Sequence, residues 1–239
     1  MEAGSAPSRG RSADERPHAH GGNSARSLLG VERGGLIDRH DLWNEEDYAA
    51  AAQIRRVVEE LGIDLVRLSF CDQHGTLRGK TLTREALPGA LRDGCAVPSS
   101  LVLKDTAGTS VYPVFTPGAG IEIEGLGGAG DLILVPDPKT FRVLPWAART
   151  GWILCEPVFP DGGEVPLSTR GMLRRSVERM ADRGFATTMG IELEFHLFRT
   201  SATEEEWADE AFAATSRGSQ LLHEEDLDRL EPVVRRLHD

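Results

Sequence analysis

Two carboxylates stand close enough to act together in the segment GIELEFHLF (residues 190–198). Its polar residues Glu192, Glu194 and His196 alternate with apolar ones. Alternation with a period of two is typical of a β-strand, so the two glutamates would project from one face about 6.5–7 Å apart. Carboxylate oxygens are hard ligands that suit Mg²⁺ or Mn²⁺. A solvated strand face explains the same pattern, and the segment alone does not separate the two interpretations.

A third carboxylate, Asp105, lies in KDTAGTS (104–110), after an apolar run and shortly before Gly108. The local interpretation is an Asx-type turn, in which the aspartate side chain accepts hydrogen bonds from nearby backbone amides. The functional interpretation is an exposed loop that carries a carboxylate to a reaction centre. Both interpretations stay open at this point.

Other familiar motifs are absent or lack their context. The run GLGGAG (125–130) satisfies the spacing G-x-G-x-x-G, but the strand-like LILVP follows it where a dinucleotide site needs a helix. We therefore interpret it as a glycine loop between strands. No G-x-S-x-G elbow and no Walker phosphate loop occurs in the sequence.

Composition excludes several classes of protein. The formal net charge of −11 over 239 residues disfavours a nucleic-acid surface. No apolar run reaches the ~18 residues that span a bilayer, and no secretory leader is recognisable, so we expect no membrane partner. The three cysteines form no CxxC pair, which indicates neither a zinc site nor a disulfide framework. We expect a cytoplasmic protein.

The elements that must position the three carboxylates follow from periodicity. Residues 1–45 are rich in Gly, Ser and Arg and predict a disordered extension. A helix is predicted from Glu45, with an apolar stripe at Ile54, Val57, Val58 and Leu61 and a stop at Gly62. The segments DLVRLSFCD and TLRGKTLT predict a hairpin. Strands are then predicted in DLILVPD, TFRVLPW and GWILCEPVF.

From Ser168 onward the sequence predicts a helix, a strand and a second helix. Ser168 is the expected N-cap of a helix whose apolar stripe would contain Met172, Leu173, Val177 and Met180. The GIELEFHLF strand comes next. The last segment, HEEDLDRLEPVVRRLHD, predicts a helix interrupted near Pro232.

Taken together and in this order, these motifs resemble the glutamine synthetase family. The hairpin VRLSFCDQHGTLRGK is similar to the first hairpin of the family's N-terminal β-grasp domain, with the core D-x-x-G-x-x-R-G-K beginning at Asp72. VLKDTAG is similar to the loop whose aspartate reaches an active site. GDLILVPDPKTFRVLPW resembles a stretch near the end of the same domain. MGIELEFHLF resembles the first catalytic strand, G-x-E-x-E-F-x-L-F.

The resemblance implies a fold and an activity. The fold class would be α+β, with a disordered extension at 1–45, a β-grasp domain at 46–160 and the start of the catalytic domain at 161–239. The activity would be ATP-dependent ligation of ammonia or another amine to the γ-carboxylate of glutamate, through γ-glutamyl phosphate. Family members are homo-oligomeric rings whose active sites lie between subunits.

The resemblance also implies roles for single residues. Glu192 and Glu194 would be ligands of Mg²⁺ or Mn²⁺, and His196 occupies a position that the family does not use as a ligand. Asp105 would bind and deprotonate the ammonium in the active site of a neighbouring subunit. The resemblance identifies no ATP-binding residue within these 239 residues.

Two departures from the family pattern set the alternatives. The sequence reads Lys104-Asp105-Thr106-Ala107-Gly108 where well-known members read F-D-G-S-S, which leaves open whether ammonia, a polyamine or another amine is the nucleophile. The second acidic motif, E-x-G-P-x-Q-x-E, does not occur. We therefore expect an N-terminal portion that is inactive alone. The alternative is a non-catalytic β-grasp protein that binds or regulates a full-length ligase ring.

Overall fold

The computed structural model describes residues 31–116, 121–195, 197–199, 213–214 and 224–238. The chain divides into two compact units, Met1–Ala186 and Thr187–Asp239. This division lies later along the chain than the predicted boundary between residues 160 and 161. The domain assignment stays a prediction, because compactness alone does not define where a domain begins.

The first unit is built on one six-stranded mixed sheet. Its strands are β1 (Leu65–Cys71), β2 (Leu77–Thr83), β3 (Cys95–Pro98), β4 (Asp131–Pro136), β5 (Arg142–Val143) and β6 (Thr150–Val158). The strand order is β2-β1-β6-β4-β3, and β5 also pairs with β6. Strand β1 runs parallel to β6, and the other pairs are antiparallel. The predicted hairpin and the three later strands are confirmed.

One face of this sheet packs against helix α2 (Glu45–Glu60). Asn44 begins the helix with a capping box, in which its side chain accepts from the Asp47 amide at 3.1 Å and Asp47 accepts from the Asn44 amide at 3.0 Å. Ile54 and Val58 are buried, as the predicted stripe requires. Leu61 is exposed instead, because the helix ends at Glu60.

Residues 31–45 correct the predicted disordered extension. They contain the short helix α1 (Leu36–Arg39), and both Ile37 and Trp43 are buried in the core. The Trp43 Nε1–H donates a hydrogen bond to the Pro136 carbonyl at 2.9 Å. Composition suggested disorder because large apolar residues are few here, but these two side chains fasten the segment to the sheet. Residues 1–30 lie outside the described residues.

Two further helices complete the first unit. Helix α3 (Leu87–Asp93) connects the hairpin to β3. Helix α4 (Thr169–Ala181) begins at Ser168, whose side chain accepts from the Gly171 amide at 3.1 Å, as predicted. The predicted apolar stripe of α4 is exposed rather than buried; its members are Met172, Leu173, Val177 and Met180. The mixed helix and sheet content confirms the α+β class, whereas the β-grasp topology stays a prediction.

The described regular structure of the second unit consists of one pair of short strands and one helix. Strand β7 (Phe198–Arg199) pairs with β8 (Ala213–Ala214), and helix α5 spans Glu224–His238. The prediction of a strand over 190–198 is wrong for residues 190–195, which pair with no described strand. A strand persists only when a neighbour satisfies its backbone groups. The prediction of an interruption near Pro232 is also wrong, because α5 continues through that residue.

None of the helices in the described ranges combines the length and the apolar character that crossing a membrane requires.

Candidate active site

Asp105 lies in a tight turn that its own side chain stabilises. Its Oδ1 accepts hydrogen bonds from the backbone amides of Ala107 at 3.0 Å and Thr109 at 2.8 Å. The Gly108 amide donates to the Asp105 carbonyl at 3.0 Å, and Gly108 has a φ of 79°, which favours glycine. The predicted Asx-type turn is thus confirmed as geometry.

The same turn leaves one carboxylate oxygen available. Within the part of the chain that the structure describes, no group donates a hydrogen bond to Asp105 Oδ2. Asp105 is half-buried, whereas the residues that follow it in the turn are exposed. One oxygen therefore orients the carboxylate and the other can accept a proton or a hydrogen bond from a ligand.

The tip of the β1–β2 hairpin holds this turn from the other side. Gln73 Nε2 donates to the Lys104 carbonyl at 2.8 Å, and His74 Nε2 lies 2.9 Å from the same oxygen. Both contacts reach the residue immediately before Asp105. The sequence does not indicate these contacts, because contacts between positions some thirty residues apart leave no local pattern.

Asp72 organises the hairpin tip. It is fully buried, and its Oδ2 accepts from Arg78 Nε at 2.6 Å. Its Oδ1 accepts from the amides of His74 at 2.9 Å and Thr76 at 3.0 Å. Burial raises the pKa of Asp72, but the Arg78 guanidinium and the two amides outweigh burial, so the pKa lies below its ordinary value. Asp72 is therefore a charged anchor that fixes Gln73 and His74.

Glu192 and Glu194 are both exposed, in an extended segment of the second unit. Neither forms a hydrogen bond or an ion pair with another described residue. His196 lies outside the described residues. The two predicted metal ligands are thus two positions apart in the sequence, and no described strand aligns their side chains. Asp105 belongs to the first unit, not to the second.

The donor chemistry of Glu192 and Glu194 fits a divalent cation. Two neighbouring carboxylates without a cationic partner repel each other, and a bound Mg²⁺ or Mn²⁺ removes that repulsion. Among the described ranges, no group of three or more His, Cys, Asp or Glu side chains has an arrangement suited to a metal ion. Glu192 and Glu194 alone supply two carboxylates, which is fewer than the three or more protein side chains of such a group.

Two of the clefts in the described part of the first unit adjoin motifs that the sequence singles out. The larger, of about 860 Å³, is lined by Gly125 and Gly130 of the glycine loop and by the 159–166 segment. Asp131 begins β4 directly after the glycine loop, so the strand predicted at this position is confirmed. The smaller cleft, of about 350 Å³, adjoins Asp105, Lys104 and His74.

Comparison with known proteins gives an independent line of evidence. The family model for "Glutamine synthetase, catalytic domain" matches residues 166–239. The chain is 32% identical over 214 residues to the gamma-glutamylanilide synthase of an Acinetobacter species. This alignment covers 83% of this chain and 42% of that protein. The chain is also 31% identical over 160 residues to a Pseudomonas glutamate–isopropylamine ligase, covering 66% of this chain and 33% of the relative.

A glutamine synthetase of Mycobacterium tuberculosis is 29% identical over 153 residues, which covers 61% of this chain and 30% of that protein. The chain thus spans less than half the length of these curated relatives. The family model begins close to the predicted start of the catalytic portion, and the anilide synthase match covers most of the chain. From the catalytic-domain match and these relatives we conclude that the chain belongs to the glutamine synthetase family.

Proposed function

We propose that this chain forms part of an ATP-dependent ligase that joins an amine to the γ-carboxylate of glutamate. The observation that carries the proposal is the Asp105 turn, which presents one free carboxylate oxygen from a loop fixed at both sides. An anionic group is needed because amines are protonated at neutral pH and must lose a proton before they attack.

The proposed reaction has two steps. An oxygen of the glutamate γ-carboxylate attacks the γ-phosphorus of ATP, ADP leaves, and γ-glutamyl phosphate forms. The amine nitrogen then attacks the acyl carbon, and phosphate leaves with the electrons of the broken C–O bond. A Mg²⁺ or Mn²⁺ held by Glu192 and Glu194 would offset the charge on the phosphate oxygens.

Asp105 acts in the second step. Its Oδ2 accepts an N–H from the substrate ammonium and then takes the proton, which frees the nitrogen lone pair. The hydrogen bonds to Oδ1 keep the carboxylate in one orientation during this transfer. The hairpin tip supports that orientation through the Lys104 carbonyl.

The architecture of the whole ligase is part of the proposal. Residues 46–160 would form the β-grasp domain, and residues 161–239 the start of the catalytic domain. Asp105 of one subunit would face Glu192 and Glu194 of the next subunit in a cytoplasmic homo-oligomeric ring, which is a heterologous assembly. The family match over 166–239 supports the catalytic assignment.

The relatives favour a substituted amine over ammonia as the nucleophile. The two relatives described above with more than 30% identity are named for an anilide and for isopropylamine. The departure at Lys104–Gly108 from the motif of ammonia-using members points in the same direction.

A chimaera tests the proposed function. Residues 31–199 replace the aligned segment of the Acinetobacter synthase, and ADP release is measured with glutamate, ATP, Mg²⁺ and an amine panel. We expect amine-dependent ADP release that Asp105→Asn lowers by roughly 10²–10³-fold. The control is Asp161→Asn, because the Asp161 side chain accepts from the Gly163 amide at 2.9 Å in a comparable turn. Equal losses in both variants, or full activity in Asp105→Asn, would refute the role of Asp105. No amine-dependent ADP release from the wild-type chimaera would favour the non-catalytic alternative.

A further inference from the structure

The cleft beside Asp105 has an apolar interior. It is an open groove of about 350 Å³, a volume at the lower end of the range for small-molecule sites. Its apolar lining comes from the 3₁₀ turn Ser99–Leu103, from the loop after Asp105 and from the approach to α4. The lining residues are Val102, Leu103, Val111, Tyr112, Ile121 and Leu167.

The charged groups of this cleft are few. Asp105 contributes the one carboxylate, and Lys104 contributes a cation whose Nζ donates to Ser110 Oγ at 2.8 Å. Gln73 and His74 line the cleft as well, with their side chains directed to the Lys104 carbonyl. Asp105 Oδ2 is the group in this lining that can pair with a cation, so a complementary ligand carries one positive charge at that oxygen and uncharged hydrocarbon elsewhere.

We propose that this cleft binds the hydrocarbon substituent of a primary monoamine whose ammonium group pairs with Asp105, and that Lys104 disfavours diamines and polyamines. The inference rests on the proposed function, since it names the class of nucleophile that the same site accepts. It also assigns a specificity role to Lys104, Val111 and Tyr112.

Burial of apolar surface and repulsion between like charges both favour a monoamine in this cleft. Removing alkyl or aryl surface from water favours binding in proportion to the area buried, and the lining offers buried partners in Val102 and Leu103. A second ammonium on the same ligand would lie in the cleft that Lys104 lines, where like charges repel more strongly than in bulk water. Ammonium itself gains only the pairing with Asp105.

The test is amine binding to the full 239-residue chain, followed by NMR of ¹⁵N-labelled protein. The probes are butylamine, ammonium chloride, 1,4-diaminobutane and 1-butanol. We expect butylamine to shift the amide signals of Val111 and Tyr112 with an affinity at least about fivefold higher than that of any other probe. In Lys104→Met, 1,4-diaminobutane should bind within about twofold of butylamine.

Variants assign the effect to the cleft. Asp105→Asn and Tyr112→Ala should each weaken butylamine binding by about fivefold or more, whereas Asp161→Asn should leave it unchanged. The inference is overturned if butylamine shifts no signal at Val111 or Tyr112, if wild-type protein binds 1,4-diaminobutane as well as butylamine, or if Asp161→Asn weakens binding as much as Asp105→Asn.

This binding experiment is independent of catalysis. If the chimaera releases no ADP while butylamine still binds as described, the ligase proposal fails and the cleft remains a monoamine site. If the chimaera is active with ammonia alone and butylamine does not bind, the ligase proposal stands and the cleft inference is wrong.

Discussion

Arg78 neutralises Asp72, a fully buried carboxylate near the candidate site. Its Nε lies 2.6 Å from Asp72 Oδ2, and the Asp72 side chain is 0% exposed. Because Asp72 also fixes the backbone of the hairpin tip, the contact from Gln73 to Lys104 depends on this ion pair. Arg78 thus influences the orientation of Asp105 indirectly, through Asp72 and the hairpin tip.

We predict that Arg78→Met lowers the free energy of unfolding by about 3 kcal/mol, because a buried carboxylate is left without its partner. Urea denaturation at neutral pH measures the change. Arg175→Met is the control, since its ion pair with Glu164 is exposed and contributes at most about 1 kcal/mol. Equal effects in both variants would mean that burial of Asp72 does not matter.

Asp72 also predicts a pH dependence of stability. The pKa of Asp72 is lowered in the folded protein, so its stabilisation is present above the ordinary value of 3.8 and is lost as the pH falls through the folded pKa. The difference in stability between wild type and Asp72→Asn should therefore shrink below about pH 4. A difference that stays constant between pH 7 and pH 3 would contradict this assignment.

The hairpin is the element that carries this anchor, and its close pairing depends on Gly79. Gly79 pairs with Ser69, and a Cβ at Gly79 would lie 1.8 Å from the Leu68 carbonyl oxygen. No real Cβ approaches backbone so closely, so an alanine must displace β2 from β1.

Gly79→Ala should therefore cost about 1–3 kcal/mol of stability, the usual range for overpacking. Gly89→Ala, in helix α3, is the matched control, because a Cβ there meets nothing within 4 Å. It should be neutral or stabilising by up to about 1 kcal/mol. Thermal unfolding of the two variants compares them directly. A stable Gly79→Ala protein would show that the hairpin register is looser than described.

The 190–195 segment is the element that differs most from expectation. Because it pairs with no described strand, Glu192 and Glu194 lack the alignment that a strand gives. We predict weak Mn²⁺ binding by the 239-residue chain, with a dissociation constant on the order of 10⁻³ M, which calorimetry can measure. Glu192→Ala should abolish it. The double variant Glu59→Ala, Glu60→Ala removes two exposed glutamates of α2 and should have no effect. Tight binding that survives loss of both Glu192 and Glu194 would refute the metal assignment.

These elements show what the sequence can and cannot predict. The β1–β2 hairpin, α2 and the Ser168 cap were predictable, because turn residues, helical periodicity and capping are local signals. The ordering of residues 31–45 was not, because it depends on Trp43 reaching Pro136 across the fold. The strand at 190–195 was predicted from alternation, which indicates a pattern but cannot supply a pairing partner.

The candidate site was predictable to a similar degree. Asp105 was identified, and both its turn geometry and its loop position follow from neighbouring residues. The support from Gln73 and His74 was missed, since nothing in the local sequence indicates contact with Lys104. The cleft was missed for the same reason, as its lining comes from segments distant along the chain.

The whole molecule raises the question of how the two sets of carboxylates act together. Asp105 belongs to the unit Met1–Ala186, and Glu192 and Glu194 belong to Thr187–Asp239. The chain spans 42% of the length of the Acinetobacter relative. Our proposal is that a complete site draws Asp105 from one subunit and the glutamate pair from the next.

Mixing two inactive chimaeras tests this central claim most directly. One carries Asp105→Asn, and the other carries Glu192→Ala with Glu194→Ala; each replaces the aligned segment of the Acinetobacter synthase by residues 31–199. Mixed rings contain some interfaces with an intact Asp105 and an intact glutamate pair, so we predict that dissociation and reassembly restore part of the amine-dependent ADP release. Reassembly is verified by native mass spectrometry. Verified mixed rings that release no more ADP than either parent would contradict the account.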